Sequence, residues 1–121
     1  MLPRIQHVSI PIHSGQEANQ KARHFYGTIL RLPEIPPPQS LAHLDLIWYQ
    51  LGNTELHLFR QDEIDATLGQ HLCIQVEDVG AMRTQLNAAR ISIAETDPIP
   101  GRPRFFCRDP FGNRIEFTTI L

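Results

Sequence analysis

Apolar and polar residues alternate along 5–12 (IQHVSIPI), with Val8, Ile10 and Ile12 on one side and His7, Ser9 and Pro11 on the other. A period of two with one apolar side predicts a half-buried strand. Pro11 favours a sheet edge or a strand end. Ser14-Gly15-Gln16-Glu17 has the form of a capping box. Beyond it Ala18, Ala22, Phe25 and Ile29 recur as one stripe of an amphipathic helix running to about Leu30. Pro33 and the run Pro36-Pro37-Pro38 stop that helix and predict an extended connection. Residues 44–51 (LDLIWYQL) and 54–59 (TELHLF) flank a Gly52-Asn53 turn and predict a hairpin. The polar stretch 60–69 reads as a connection.

The order then repeats. Residues 71–77 (HLCIQVE) alternate, with Leu72, Ile74 and Val76 opposite His71, Cys73 and Gln75. Asp78 can cap a helix whose stripe is Val79, Met82, Leu86 and Ala89. A Pro/Gly-rich loop at 97–103 leads to a strand at 104–108, the turn Asp109-Pro110-Phe111-Gly112-Asn113 and a last strand at 114–120. HVSI at 7–10 matches HLCI at 71–74, and GNTELHL at 52–58 matches GNRIEFT at 112–118. Strand order, helix position and turn chemistry recur together, which predicts two copies of one module.

Composition narrows the classes. The chain has 121 residues, 41% hydrophobic and 20% charged, with net charge −2. That suits a single domain with a buried core. A pI near 6.3 gives no broad pull toward nucleic acid or anionic membrane. No apolar run is long enough for a transmembrane helix, and the N-terminus lacks the form of a secretory signal. The two cysteines, Cys73 and Cys107, then read as reduced, buried thiols of a cytoplasmic protein.

The candidate chemistry lies on the strand sides opposite the apolar sets. Apolar sides cover the helix stripes. The other sides carry His7, then Glu55 and His57, then His71, then Glu116 and Thr118. Two acids gathered in one cavity would repel, and a divalent cation removes that cost. Neutral imidazole and carboxylate are ordinary ligands for such an ion. Arg104, Phe106 and Arg108 share a side by the same parity, and the two arginines could hold an anionic substrate.

These residues give the chain its resemblance to the vicinal oxygen chelate superfamily. That group includes glyoxalase I, bleomycin-resistance proteins, fosfomycin-resistance enzymes, methylmalonyl-CoA epimerase and extradiol dioxygenases. HVSIPI at 7–12, HFYGTILRLPE at 24–34, HLCIQVEDV at 71–79 and RFFCRDPFGNRIEF at 104–117 carry the match. The DPxGNxxE segment near the C-terminus is its most specific part. The resemblance implies an α+β fold of two βαβββ modules, about 4–60 and about 70–121, forming one domain over 1–121. It implies a curved mixed sheet around a cup, with helices on the outer face. It carries the metal ligands onto His7, His71 and Glu116, and a fourth position into the 54–59 strand. Aligning Leu56 with Phe117 puts Glu55 at that fourth position, the favoured register. Aligning it with Ile115 puts His57 there. The family's usual Leu-Gly after the first helix is Leu30-Arg31 here, which strains Arg31 if the turn needs positive φ.

The resemblance implies one divalent metal ion (Fe, Mn, Ni or Zn) acting as a Lewis acid on a small oxygen-rich substrate. Glu55 or His57 would move a proton in lyase- or isomerase-like chemistry. An Fe(II)-dependent ring-cleaving dioxygenase uses the same two-histidine, one-carboxylate set. A metal-free protein that sequesters a small molecule, such as an antibiotic, is the third reading. The resemblance also implies a homodimer.

Overall fold

The first alternating run folds as β1 (His7–Ile12), its apolar residues progressively covered until Ile12 is fully buried. The computed structural model describes all residues, Met1–Leu121, in two compact units, Met1–Ile64 and Asp65–Leu121. Each unit is a βαβββ module with a four-stranded mixed sheet. The architecture is therefore α+β, with two open sheets.

In the first unit β1 is followed by α1 (Gln16–Ala22), which continues as a π-helical stretch over Arg23–Ile29. The predicted stripe is its buried side, Ala18, Ala22, Phe25 and Ile29. Next come β2 (Glu34–Ile35), β3 (Ile47–Leu51) and β4 (Thr54–Arg60). The sheet order is β1-β4-β3-β2, with β1 and β4 parallel and the other pairs antiparallel. Tyr26 from the helical segment meets Tyr49 of β3 at 6.0 Å between ring centroids. The Tyr49 side of the sheet is thus the helix-covered side.

Two local expectations change. The capping box does not form: Gly15, at φ 102, is the N-cap and supplies no side chain. Ser14, one residue outside, instead donates its backbone N–H to Asp62 Oδ1 at 2.8 Å. The connection through the prolines is not wholly extended. After β2 it closes into a 3₁₀ helix over Gln39–Leu44, and Asp45 turns left-handed at φ 54 before β3 begins at Ile47.

The second unit runs β5 (His71–Gln75), α2 (Val79–Ala88), β6 (Ile93–Ala94), β7 (Arg104–Arg108) and β8 (Arg114–Thr118). Its sheet order is β5-β8-β7-β6, with β5 and β8 parallel. Asp78 caps α2 as expected, its Oδ1 accepting from the N–H groups of Gly80 (2.8 Å) and Ala81 (3.3 Å). The Arg83 guanidinium of α2 lies 4.8 Å from the Phe105 centroid, so the Phe105 side faces the helix. The β7–β8 turn is knotted by buried Asp109. Its carboxylate accepts from Phe111 N, Asn113 N and Asn113 Nδ2 at 2.8–2.9 Å. Gly112 sits there at φ 92, where an added Cβ would meet Ala66 Cβ at 3.0 Å. The DPFGN segment is therefore a turn-building device.

Both thiols are free, but only Cys107 is buried; Cys73 is exposed. They pair with adjacent residues of β8, Cys73 with Glu116 and Cys107 with Ile115, and so lie on opposite sides of one sheet.

Candidate functional site

Strand register decides which side chains become neighbours. In the first unit His7 pairs with Glu55 and Ser9 with His57, while across β3 Gln50 pairs with Glu55 and Trp48 with His57. In the second, His71 pairs with Arg114 and Cys73 with Glu116, while Arg108 pairs with Arg114 and Phe106 with Glu116. With His7 matched to His71, the residue holding Glu116's place in the first unit is His57. The favoured register, which put Glu55 there, is replaced by the one aligning Leu56 with Ile115. The reason lies in the parallel pairs: Val8 stands beside Leu56 and Leu72 beside Ile115.

The first unit's open side carries a stack of three rings. Trp48 and His57 lie 3.6 Å apart at 2°, and His57 and His7 lie 4.2 Å apart at 14°. His57 is buried, and its Nε2 contacts Glu55 Oε1 at 2.9 Å. A carboxylate can only accept, so Nε2 carries the proton and Nδ1 is left with the lone pair. His57's hydrogen bond holds the Glu55 carboxyl below the usual carboxylate range, with Gln6 adding to the effect. His7 Nδ1 lies 2.7 Å from Gln6 Oε1. Donation there leaves the His7 Nε2 lone pair outward.

The second unit's open side brings His71, Glu116, Arg104, Phe106 and Cys73 together. His71 Nδ1 lies 2.8 Å from the Gly69 carbonyl oxygen, which can only accept. Nδ1 therefore carries a proton, and Nε2 faces Glu116 Oε1 at 3.0 Å. A proton on Nε2, or a cation shared with the carboxylate, joins the two groups at that distance. Arg104 Nη1 reaches Glu116 Oε2 at 3.3 Å, and the same guanidinium donates to the Asp97 carbonyl at 2.9 and 3.2 Å. The Cys73 thiol, exposed overall, is pushed up by the partial desolvation of its sulfur first and then by the Glu116 charge.

The donors present fit a divalent metal in type. His71 is oriented through Nδ1–H onto a carbonyl, as metal-ligating imidazoles are, and its Nε2 converges with a buried carboxylate. They fit in number only as a pair, since no three His, Cys, Asp or Glu side chains gather with ligand geometry.

The expected anion clamp is redistributed. Arg104 is engaged with Glu116 and Asp97. Phe106 is sandwiched by arginines, with Arg104 at 5.7 Å and Arg114 at 3.7 Å from its centroid. Arg108 is exposed and donates to the Gly112 carbonyl at 3.1 Å. Arg114 was absent from the sequence-based candidates. Its signal was its parity with Glu116 two residues on.

Comparison with known proteins follows the same lines. The sequence model described as the Glyoxalase/Bleomycin resistance protein/Dioxygenase superfamily matches residues 16–117. No curated protein matches in sequence. A glyoxalase family protein from Bacillus anthracis has 29% identity and a TM-score of 0.90, covering 100% of this chain and 98% of its own. The lactoylglutathione lyase of Agrobacterium tumefaciens has 21% identity and a TM-score of 0.71, covering 96% and 92%. The fosfomycin resistance protein FosX of Listeria monocytogenes has 12% identity and a TM-score of 0.80, covering 100% and 96%. The last two show likeness of fold.

Proposed function

Since the chain belongs to the glyoxalase/bleomycin resistance protein/dioxygenase superfamily, we propose that it is a metal-dependent enzyme performing lyase- or isomerase-like proton transfer on a small oxygen-rich substrate. The observation that carries this reading is the convergence of His71 Nε2 on the buried Glu116 carboxylate at 3.0 Å, with His71 Nδ1–H fixed on the Gly69 carbonyl, an imidazole–carboxylate pairing of the kind a divalent ion takes. His71 and Glu116 would hold the ion as a pair, and His7, whose Nε2 its bond to Gln6 leaves free, is a donor of the same type on the first unit. When bound, a divalent ion supplies Lewis acidity toward substrate oxygens.

The remaining residues have distinct tasks. Arg104 fixes the Glu116 carboxylate through Oε2 and leaves Oε1 for the ion. His57 is the proton-moving group: Nδ1 takes the proton from substrate, while Glu55 holds Nε2–H and favours the imidazolium that results. The rings of Trp48 and His7 lock the plane of His57 from both faces. Glu55, its pKa lowered by that hydrogen bond, is the orienting carboxylate of this pair.

The test is elemental analysis of the purified protein, then anaerobic titration of the stripped form with Fe(II), Mn(II), Ni(II) and Zn(II). One ion per chain is expected, weakened by at least about tenfold in His71→Ala and Glu116→Gln. Affinity unchanged in both variants would refute the ligand pair. No binding of any ion would favour a small-molecule sequestering protein.

A further inference from the structure

Arg108 and Arg114 stand directly opposite each other across β7 and β8. Like charges in a cross-strand pair destabilise a sheet unless something neutralises them. Neither makes an ion pair here. Arg108 bonds a backbone carbonyl, and the Arg114 guanidinium carbon lies over the Phe106 ring, 3.7 Å from its centroid. Stacking uses the face of a guanidinium and leaves its N–H edge free to bond. Both arginines line one open cavity of about 340 Å³, bordered by Ile93, Glu95 and Thr96 around the edge strand β6. The only carboxylate of that lining, Glu95, is already paired with Arg83. The cavity thus holds two cations without a counter-charge, beside an apolar wall.

We propose that this cavity binds the oxyanion group, carboxylate or phosphoryl, of a small ligand, with Arg108 and Arg114 as its two donors and Phe106 as the platform that positions Arg114. A planar oxyanion fits the forked donor edges of guanidinium groups. Ile93 and Ala94 offer apolar contact to the carbon skeleton attached to it. This deepens the proposed function by making the substrate an oxyanion, and rests on that reading only for the ligand's being the substrate; anion binding itself needs no metal.

The experiment is calorimetric titration of chelator-treated protein at low ionic strength with inorganic phosphate and, separately, with acetate. The arm that binds more tightly identifies the group. Saturable binding of one anion per chain is expected, with a matching rise in thermal unfolding midpoint. Arg108→Gln and Arg114→Gln should each weaken it about tenfold or more. Arg114→Lys should recover part of the loss, and the charge-matched Lys21→Gln should bind like the parent. Should Arg114→Gln fail to unfold cooperatively, Arg108→Gln carries the same test. The proposal is overturned if neither anion binds saturably, if the arginine variants bind like the parent, or if Lys21→Gln loses as much as they do. Phosphate binding without metal binding would sink the metal reading and leave this one standing. Metal binding without anion binding would do the reverse.

Discussion

Tyr49 illustrates how much one atom's surroundings decide. Its ring is fully buried, and its hydroxyl has no hydrogen-bond partner, resting where a Cβ on Gly27 would lie 3.4 Å away. Burial, with the Glu34 charge adding and Arg23 opposing, pushes its pKa up to about 12. The unfolded value is about 10. A pKa raised by folding means stability that is intact below about 10 and lost as pH climbs toward 12. Tyr49→Phe should therefore be neutral or stabilising by up to about 1 kcal/mol at pH 7, since it removes an unpaired buried hydroxyl. Urea unfolding of the variant should also show a shallower decline between pH 10 and 12. A loss above about 2 kcal/mol at pH 7 would contradict this account. The same residue-level resolution separates Glu55 from His57. Period two places both on the open side. Only the register against β1 shows that His57 takes the place of Glu116 while Glu55 takes that of Arg114.

Helix ends show where element-level reading succeeds and stops. The strain expected at Arg31 is present, at φ 60, and a second arginine, Arg90, sits at φ 61 after α2. Around Arg90 the chain closes as a Schellman motif, Ile91 N bonding Leu86 O and Arg90 N bonding Asn87 O, each at 3.0 Å. Left-handed backbone is costly for a residue with a Cβ and free for glycine. Arg31→Gly and Arg90→Gly should each raise stability by about 0.5–1 kcal/mol, after the added unfolded-state entropy of glycine is counted. Denaturant midpoints check this, and a fall in both variants would refute the strain argument. The apolar stripes were legible because burial imposes their period. The π-helical stretch was not, since it arises from bonds such as Leu30 N to Phe25 O at 2.9 Å that leave no mark on spacing. The missing capping box follows from Gly15, whose backbone takes a shape that leaves Ser14 outside the helix.

At the scale of the whole molecule, no helix is long and apolar enough to cross a membrane. The homodimer that the family resemblance implies predicts a mass in solution twice the 13.8 kDa of one chain. Light scattering on the eluted protein measures it, and a monomer at all concentrations would refute the dimer. Two repeats of strand, helix and hairpin, the turn chemistry at 109–113 and the placing of His7, Glu55, His57, His71 and Glu116 on the strand sides opposite the apolar sets followed from the residues alone. Each depends on local periodicity or on short-range hydrogen bonding, which a linear chain already encodes. The proton on His71 Nδ1, the engagement of Arg104 and the unneutralised pair Arg108–Arg114 did not follow. They depend on which strands lie side by side and in what register. That is settled by cross-strand packing between residues far apart in the chain, such as Leu72 against Ile115.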